Sequence, residues 1–144
     1  MFLHKISNES ALYEFMSSHE QMYQSPNGVL LFLLSAIYTR GLDVVKSDMD
    51  DCENTMIGRF GHCTQDLMNL LLSGRAVSNV FDGNRPFEGA NGDTGLMVKG
   101  ISYQGRVGYL SQLDALGYLE VGEFYKRPKF PIWVIGSSSH FTVR

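Results

Sequence analysis

The stretch PKFPIWVIGSSSHFTVR, residues 128–144, sets a β-rich run ahead of a serine turn and a second, alternating run. Ile132–Ile135 is β-branched and aromatic, as strands prefer. The Gly136–Ser139 connection is short enough for a hairpin, and His140–Val143 reads as the returning strand. His140 therefore opens a strand, where pairing holds the backbone and the ring is left to face a cleft. A general base needs that fixity and a proton affinity near neutrality, which imidazole has. A surface histidine at a hairpin end fits the same pattern, and the pattern alone leaves both readings open.

The elements upstream follow from spacing and punctuation. Ser7-Asn8-Glu9 precede Ala11, Leu12, Phe15 and Met16, which predicts a capped amphipathic helix ending near Ser18. Ser25-Pro26-Asn27-Gly28 breaks the chain, and Pro26 suits a helix start. Residues 29–40, VLLFLLSAIYTR, are apolar on nearly every side, the pattern of a central buried helix. Gly41 ends it, with Arg40 well placed near its C-terminus. Leu42–Met49 reads as a short helix. Thr64 caps TQDLMNLLL, which Ser73-Gly74 stops. Val77–Phe81, Leu96–Ile101 and Tyr118–Phe124 read as short strands, and Gly108–Leu116 as a helix. Helices come first and short strands last, so the expected class is α+β, with a short antiparallel sheet at the C-terminal end. Residues 1–144 read as a single domain, without repeats or a linker.

Composition narrows the function. Of 144 residues, 44% are hydrophobic and 19% charged, a folded composition with a net charge of −3. That balance provides no basic face for nucleic acid. The longest apolar run, Val29–Leu34, is far short of the roughly 20 residues of a membrane span. Two cysteines, Cys52 and Cys63, suit free thiols in the cytoplasm or nucleus better than a single secreted bridge.

Two blocks then carry a family resemblance. PKFPIWVIGSSSHFTV (128–143) resembles the closing pattern PxFPIWVxxSxSHxxV of the MINDY deubiquitinase catalytic domain. LLLSGRAVSNVFDG (70–83) resembles the family block LLLTGxAVSNVFDG. VGYLSQLDALGYLEVGEFYKRPKFP (107–131) is similar to the connector between them, and the likeness spans about Gly28 to Val143. It implies a papain-like cysteine isopeptidase that trims ubiquitin chains, preferring those joined through lysine forty-eight of ubiquitin. Ubiquitin and polyubiquitin would be its partners, and no metal or organic cofactor is implied. The family's histidine falls on His140, which would deprotonate a thiol and then protonate the leaving lysine amine. The family's nucleophilic cysteine lies earlier, at a helix N-terminus in a Gly-rich segment, a few residues after an oxyanion-stabilising glutamine. No stretch of these 144 residues matches that segment. The expectation is therefore the histidine-bearing part of a larger papain-like domain, or a catalytically inactive ubiquitin-binding or scaffold relative.

Other candidates have plainer readings beside the chemical one. Cys63, in GHCTQDLM, precedes a predicted helix whose N-terminus would lower its pKa, with His62 adjacent and Gln65 as a mimic of the oxyanion donor. A half-buried free thiol is the default for such a residue. The thiolate of Cys52 would be disfavoured by Asp50, Asp51 and Glu53. Asp48, Asp50, Asp51 and Glu53 lack the spacing of a calcium loop and read as a solvated acidic loop, one that could meet a basic face of ubiquitin. His4, His19 and His62 do not make zinc spacing with the cysteines. GANGDTG lacks the lysine of a phosphate loop. Asn79–Asp82 reads as packing and turn geometry rather than catalysis. Trp133, with apolar flanks, is expected to be mostly buried under the strand pair.

Overall fold

Asn8 opens the first helix as expected: its side chain accepts a hydrogen bond from Ala11 N at 3.2 Å, capping α1 (Glu9–Ser18). In the computed structural model, residues 4–87, 95–138 and 140–144 are described. The chain divides into two compact units, Met1–Thr39 and Arg40–Arg144.

In the first unit, α1 is followed by a short helix, α2 (Glu20–Tyr23), and by α3 (Pro26–Arg40), which Pro26 begins as its fixed φ allows. Gly28 is buried, and a Cβ there would overlap the Met22 backbone, so only glycine permits this approach. Tyr23 packs edge-on against Phe32 at 6.1 Å. The expectation of a central buried helix is corrected here. Leu30 and Tyr38 are each 53% exposed, and Gly28 is the one buried residue of α3. A helix that is apolar all round needs neighbours on every side, and two short helices do not supply them.

The second unit holds the core. Gly41 turns the chain at φ 93°, and α4 (Leu42–Asp48) follows. α5 (Gln65–Ser73) is capped by the Thr64 hydroxyl, which accepts from Leu67 N at 3.4 Å, and it ends on left-handed Gly74. Met68 on α5, Val77, Val80, Ile101, Tyr109, Val121 and Tyr125 form the buried cluster. Val77–Phe81, read from sequence as a strand, is not one. Buried Asn69 claims that segment instead: its side-chain amide donates to Val77 O at 2.8 Å and Asn79 O at 3.0 Å. A side-chain amide has here replaced a sheet ladder as the partner of these carbonyls. A two-stranded antiparallel pair lies beyond, with β1 (Asn84–Pro86) on β2 (Met97–Lys99), the latter inside the strand expected at Leu96–Ile101.

β3 (Gly108–Ser111) leads directly into α6 (Gln112–Ala115), then α7 (Glu123–Lys126), β4 (Trp133–Ser137) and β5 (His140–Val143). The expected C-terminal hairpin is present, β4 antiparallel to β5. Two expectations beside it are corrected. Gly108–Leu116 is a strand before it is a helix, because β3 pairs in parallel with β4, giving a mixed sheet in the order β3-β4-β5. A Cβ at Gly108 would overlap the Trp133 indole and the Tyr125 carbonyl, so glycine admits the close approach of β3 to β4. Tyr118–Phe124 is no strand but the entry to α7, where the Asp82 carboxylate accepts from the backbone of Glu123 at 2.9 Å and Phe124 at 3.0 Å. Asp82 thus serves structure, in keeping with the packing role expected for Asn79–Asp82. Trp133 is half-buried and donates from Nε1 to Lys126 O at 3.2 Å. The molecule is α+β, with the mixed sheet as its C-terminal layer.

Candidate active site

The tip of the β4–β5 hairpin places His140. Ser137 and His140 are opposite each other in the ladder, and Ser138 between them takes a left-handed φ of 54° that a tight return demands. His140 is exposed, and its ring has no hydrogen-bond partner among the described residues. It is neither sealed in the core nor locked by a structural bond, so its nitrogens are open to chemistry.

Alternation decides what the ring faces. Gly136 pairs with Phe141, and a Cβ at Gly136 would approach the Tyr109 hydroxyl and the Phe141 ring. Phe141 and Tyr109 therefore share the face turned to the core. Ser137 and His140 share the opposite face. A cleft of about 380 Å³ lies on the Phe141 side, lined by Gly61, His62, Cys63, Ser138 and Phe141. Cys63 thus lines the Phe141 side of the hairpin, and His140 belongs to the opposite face.

Cys63 does not have the character of an activated thiol. Burial pushes its pKa up, the reverse of the lowering expected from a helix N-terminus. The cause is its position. Thr64 occupies the cap, so Cys63 lies one residue outside the first turn, and its thiol donates to Thr64 O at 3.4 Å. Gln65 is not free as an oxyanion donor either, since its amide donates to Asn69 Oδ1 at 3.0 Å. His62 stands edge-on to Phe60 at 6.5 Å. Cys52 is exposed, with its thiol 3.7 Å from Glu53 Oε1.

In the acidic stretch Asp50, Asp51 and Glu53 are exposed, as a solvated loop predicts, and Asp48 is the exception. Asp48 is buried, binding Arg40 in a bidentate fork and accepting from Ala76 N at 3.2 Å. Asp50 accepts from Asn79 Nδ2 at 2.7 Å and Lys99 N at 2.9 Å. Asp48 is spent on Arg40 and a backbone amide away from water, whereas Asp50 remains exposed while it binds the Asn79 side chain and the Lys99 backbone. Among the described residues no three His, Cys, Asp or Glu side chains are grouped to hold a metal ion. No single helix there is long and apolar enough to cross a membrane. GANGDTG lies outside the described residues except for Gly95.

Two polar residues that the sequence pattern does not single out share the face of His140. The Ser137 hydroxyl donates to Gln112 Oε1 at 3.0 Å. Only the parallel register of β3 on β4, invisible in local pattern, brings Gln112 there.

Comparison with known proteins bears on what this arrangement serves. Residues 1–144 match the conserved domain of deubiquitinating enzymes MINDY-3/4. The chain is 44% identical over 140 residues to ubiquitin carboxyl-terminal hydrolase MINDY-3 of Xenopus tropicalis, covering 96% of this chain and 30% of that protein. It is 42% identical over 144 residues to probable ubiquitin carboxyl-terminal hydrolase MINDY-4 of Bos taurus, covering 99% of this chain and 19% of that protein. Human MINDY-3 is 44% identical over 123 residues, 85% of this chain and 26% of that protein. The chain thus spans between about a fifth and a third of the length of these relatives. No solved structure is significantly similar. With the full chain matched and both quoted blocks inside the match, this protein belongs to the MINDY-3/4 deubiquitinating enzyme conserved-domain family.

Proposed function

We propose that this chain is the histidine-bearing part of a papain-like cysteine isopeptidase that trims ubiquitin chains, acting on those joined through lysine forty-eight of ubiquitin. The observation that carries the reading is His140 itself: an exposed imidazole on a paired strand, inside the block that resembles the family's closing pattern. In this reading His140 takes the proton of a cysteine thiol, leaving the electron pair on sulfur to attack the isopeptide carbonyl. It then gives that proton to the departing lysine amine. The thiol comes from a segment other than these 144 residues, because Cys63 is half-buried on the other face of the hairpin with its pKa pushed up, and the exposed Cys52 has its thiol 3.7 Å from Glu53 Oε1. Ubiquitin and polyubiquitin are the partners, and the cytoplasm or nucleus the place of action.

The test is His140→Ala in a family-length protein carrying these residues, assayed on lysine-forty-eight-linked chains. Cleavage should vanish while the thermal melt is unchanged, since an exposed residue is replaced. Retained turnover would remove His140 from the mechanism. The placement of Cys63 also favours a second reading, an inactive ubiquitin-binding relative. Chain binding by a family-length protein that never reacts with a ubiquitin propargylamide probe would select it.

A further inference from the structure

A row of three side chains crosses the sheet on the His140 face. The parallel register sets Ser111 opposite Gly136, so the next residue, Gln112, comes beside Ser137. The antiparallel register sets Ser137 opposite His140. Directly opposed residues have Cβ atoms about 5 Å apart, within reach of a serine hydroxyl and an imidazole. The row is Gln112, Ser137, His140, one residue from each strand or its immediate continuation.

The hydrogen-bond polarity of this row is already fixed at one end. Ser137 donates its only proton to Gln112 Oε1 at 3.0 Å. A hydroxyl whose proton is committed has lone pairs left and can only accept from its next neighbour. That neighbour is the imidazole of His140. Of its two nitrogens, Nδ1 lies nearer the backbone and is the one a hydroxyl across the strand can reach. An exposed side chain changes rotamer within picoseconds to nanoseconds, so the contact needs no backbone movement.

We propose that Ser137 and Gln112 are positioning residues for His140: the Gln112 carbonyl orients the Ser137 hydroxyl, which accepts Nδ1–H and leaves the Nε2 lone pair outward as the base. The inference rests on the reading of His140 as a general base and adds what selects its tautomer. A neutral imidazole is a base only at the nitrogen that lacks the proton, so fixing the proton on Nδ1 aims the basic site. Gln112 and Ser137 touch neither thiol nor substrate and act only through His140. Both are uncharged, so the pair orients the ring without adding a net charge to it. Gln112 is also the first residue of α6, whose Ser111 cap accepts from Leu113 N at 3.2 Å, and that cap holds the Gln112 backbone in place.

The experiment reads the ring directly. Long-range 15N–1H spectra of the 144-residue protein, recorded above the imidazole titration range and assigned by His140→Gln, should show His140 mainly as the Nδ1–H tautomer. Ser137→Ala and Gln112→Ala should both move it toward Nε2–H, and Ser137→Thr, which keeps the hydroxyl, should restore Nδ1–H. In a family-length enzyme the two alanine variants should lower kcat about tenfold with KM unchanged, the scale of one lost hydrogen bond. An identical tautomer in wild type and both alanine variants overturns the positioning role, whatever His140→Ala does to cleavage. A tautomer that moves as described upholds it, even if His140→Ala retains turnover and the proposed mechanism falls.

Discussion

Asp48 holds Arg40 through both carboxylate oxygens, Oδ2 to Nε and Oδ1 to a terminal nitrogen, each at 2.8 Å. The carboxylate is buried, with its side chain 5% exposed, and it also accepts from Ala76 N. Arg75 is a third partner, its Nε 3.7 Å from Oδ1. One side chain therefore ties Arg40, the first residue of the second unit, to the loop after α5. Removing one partner of a buried pair leaves the other uncompensated, at a cost of about 3–5 kcal/mol. Part of the arginine is exposed, which places Asp48→Ala at the lower end of that range. Urea unfolding of wild type and variant measures it, and a difference below 1 kcal/mol would mean that the fork is ornamental.

Acid should act through the same carboxylate. Burial by itself would raise the pKa of Asp48, but the Arg40 hydrogen bonds, the Ala76 amide and the two nearby guanidinium charges overcome it, and the net direction is down. A carboxylate whose pKa is depressed on folding contributes stability that is complete above its unfolded value, about 3.9, and is lost as pH falls through the folded one. Asp114 is held down by the Val121 amide and Lys126, and Glu120 by Arg85, so both contribute in the same direction. Melting temperature should be flat above pH 5 and fall steeply below pH 4, with a shallower fall in Asp48→Asn. A wild-type profile that is flat to pH 3 would contradict the sign.

The hairpin was legible because everything that specifies it is local: a β-rich run, a tight turn and an alternating return. The capped ends of α1 and α5 were legible for the same reason. What escaped was non-local. β3 is a strand only because β4, more than twenty residues on, offers it a parallel edge, and the helical spacing of Leu110, Leu113 and Leu116 concealed that. Val77–Phe81 has strand composition, but Asn69 took its carbonyls first. Of the acidic stretch only Asp48 departs from a solvated loop, because sequence does not show which carboxylate meets Arg40. The place of His140 at the start of β5 could be read from the hairpin pattern. The face it shares with Ser137, and the presence of Gln112 there, required the register of three strands.

Asn69 is the polar hub that holds the segment after α5 in place. It is fully buried; its amide serves Val77 O and Asn79 O, and its oxygen accepts from Tyr125 at 3.0 Å. Burial pushes the Tyr125 phenol well above its ordinary pKa, so it stays a donor at any working pH. Asn69→Ala strands two carbonyls and a phenol at once, and each unsatisfied group costs about 1–3 kcal/mol. The expected loss is about 4 kcal/mol. Tyr125→Phe removes a single donor and should cost about 1 kcal/mol. Chemical denaturation of both variants separates them, and equal losses would refute the hub.

The two thiols should respond very differently to alkylation, and the difference bears on the mechanism. Only the thiolate reacts, so a cysteine must be both reachable and ionised. Cys52 is exposed. Cys63 is half-buried, its pKa is pushed up by burial, and its thiol is engaged with Thr64 O at 3.4 Å. Iodoacetamide at neutral pH, followed by peptide mass spectrometry, should modify Cys52 faster than Cys63, because burial both shields the Cys63 thiol and disfavours its thiolate. A nucleophile activated by His140 would invert that order, and its reactivity would fall in His140→Ala. The opposite faces of Cys63 and His140 predict that His140→Ala leaves the labelling of Cys63 unchanged. Fast, His140-dependent modification of Cys63 would overturn the assignment of the nucleophile to another segment.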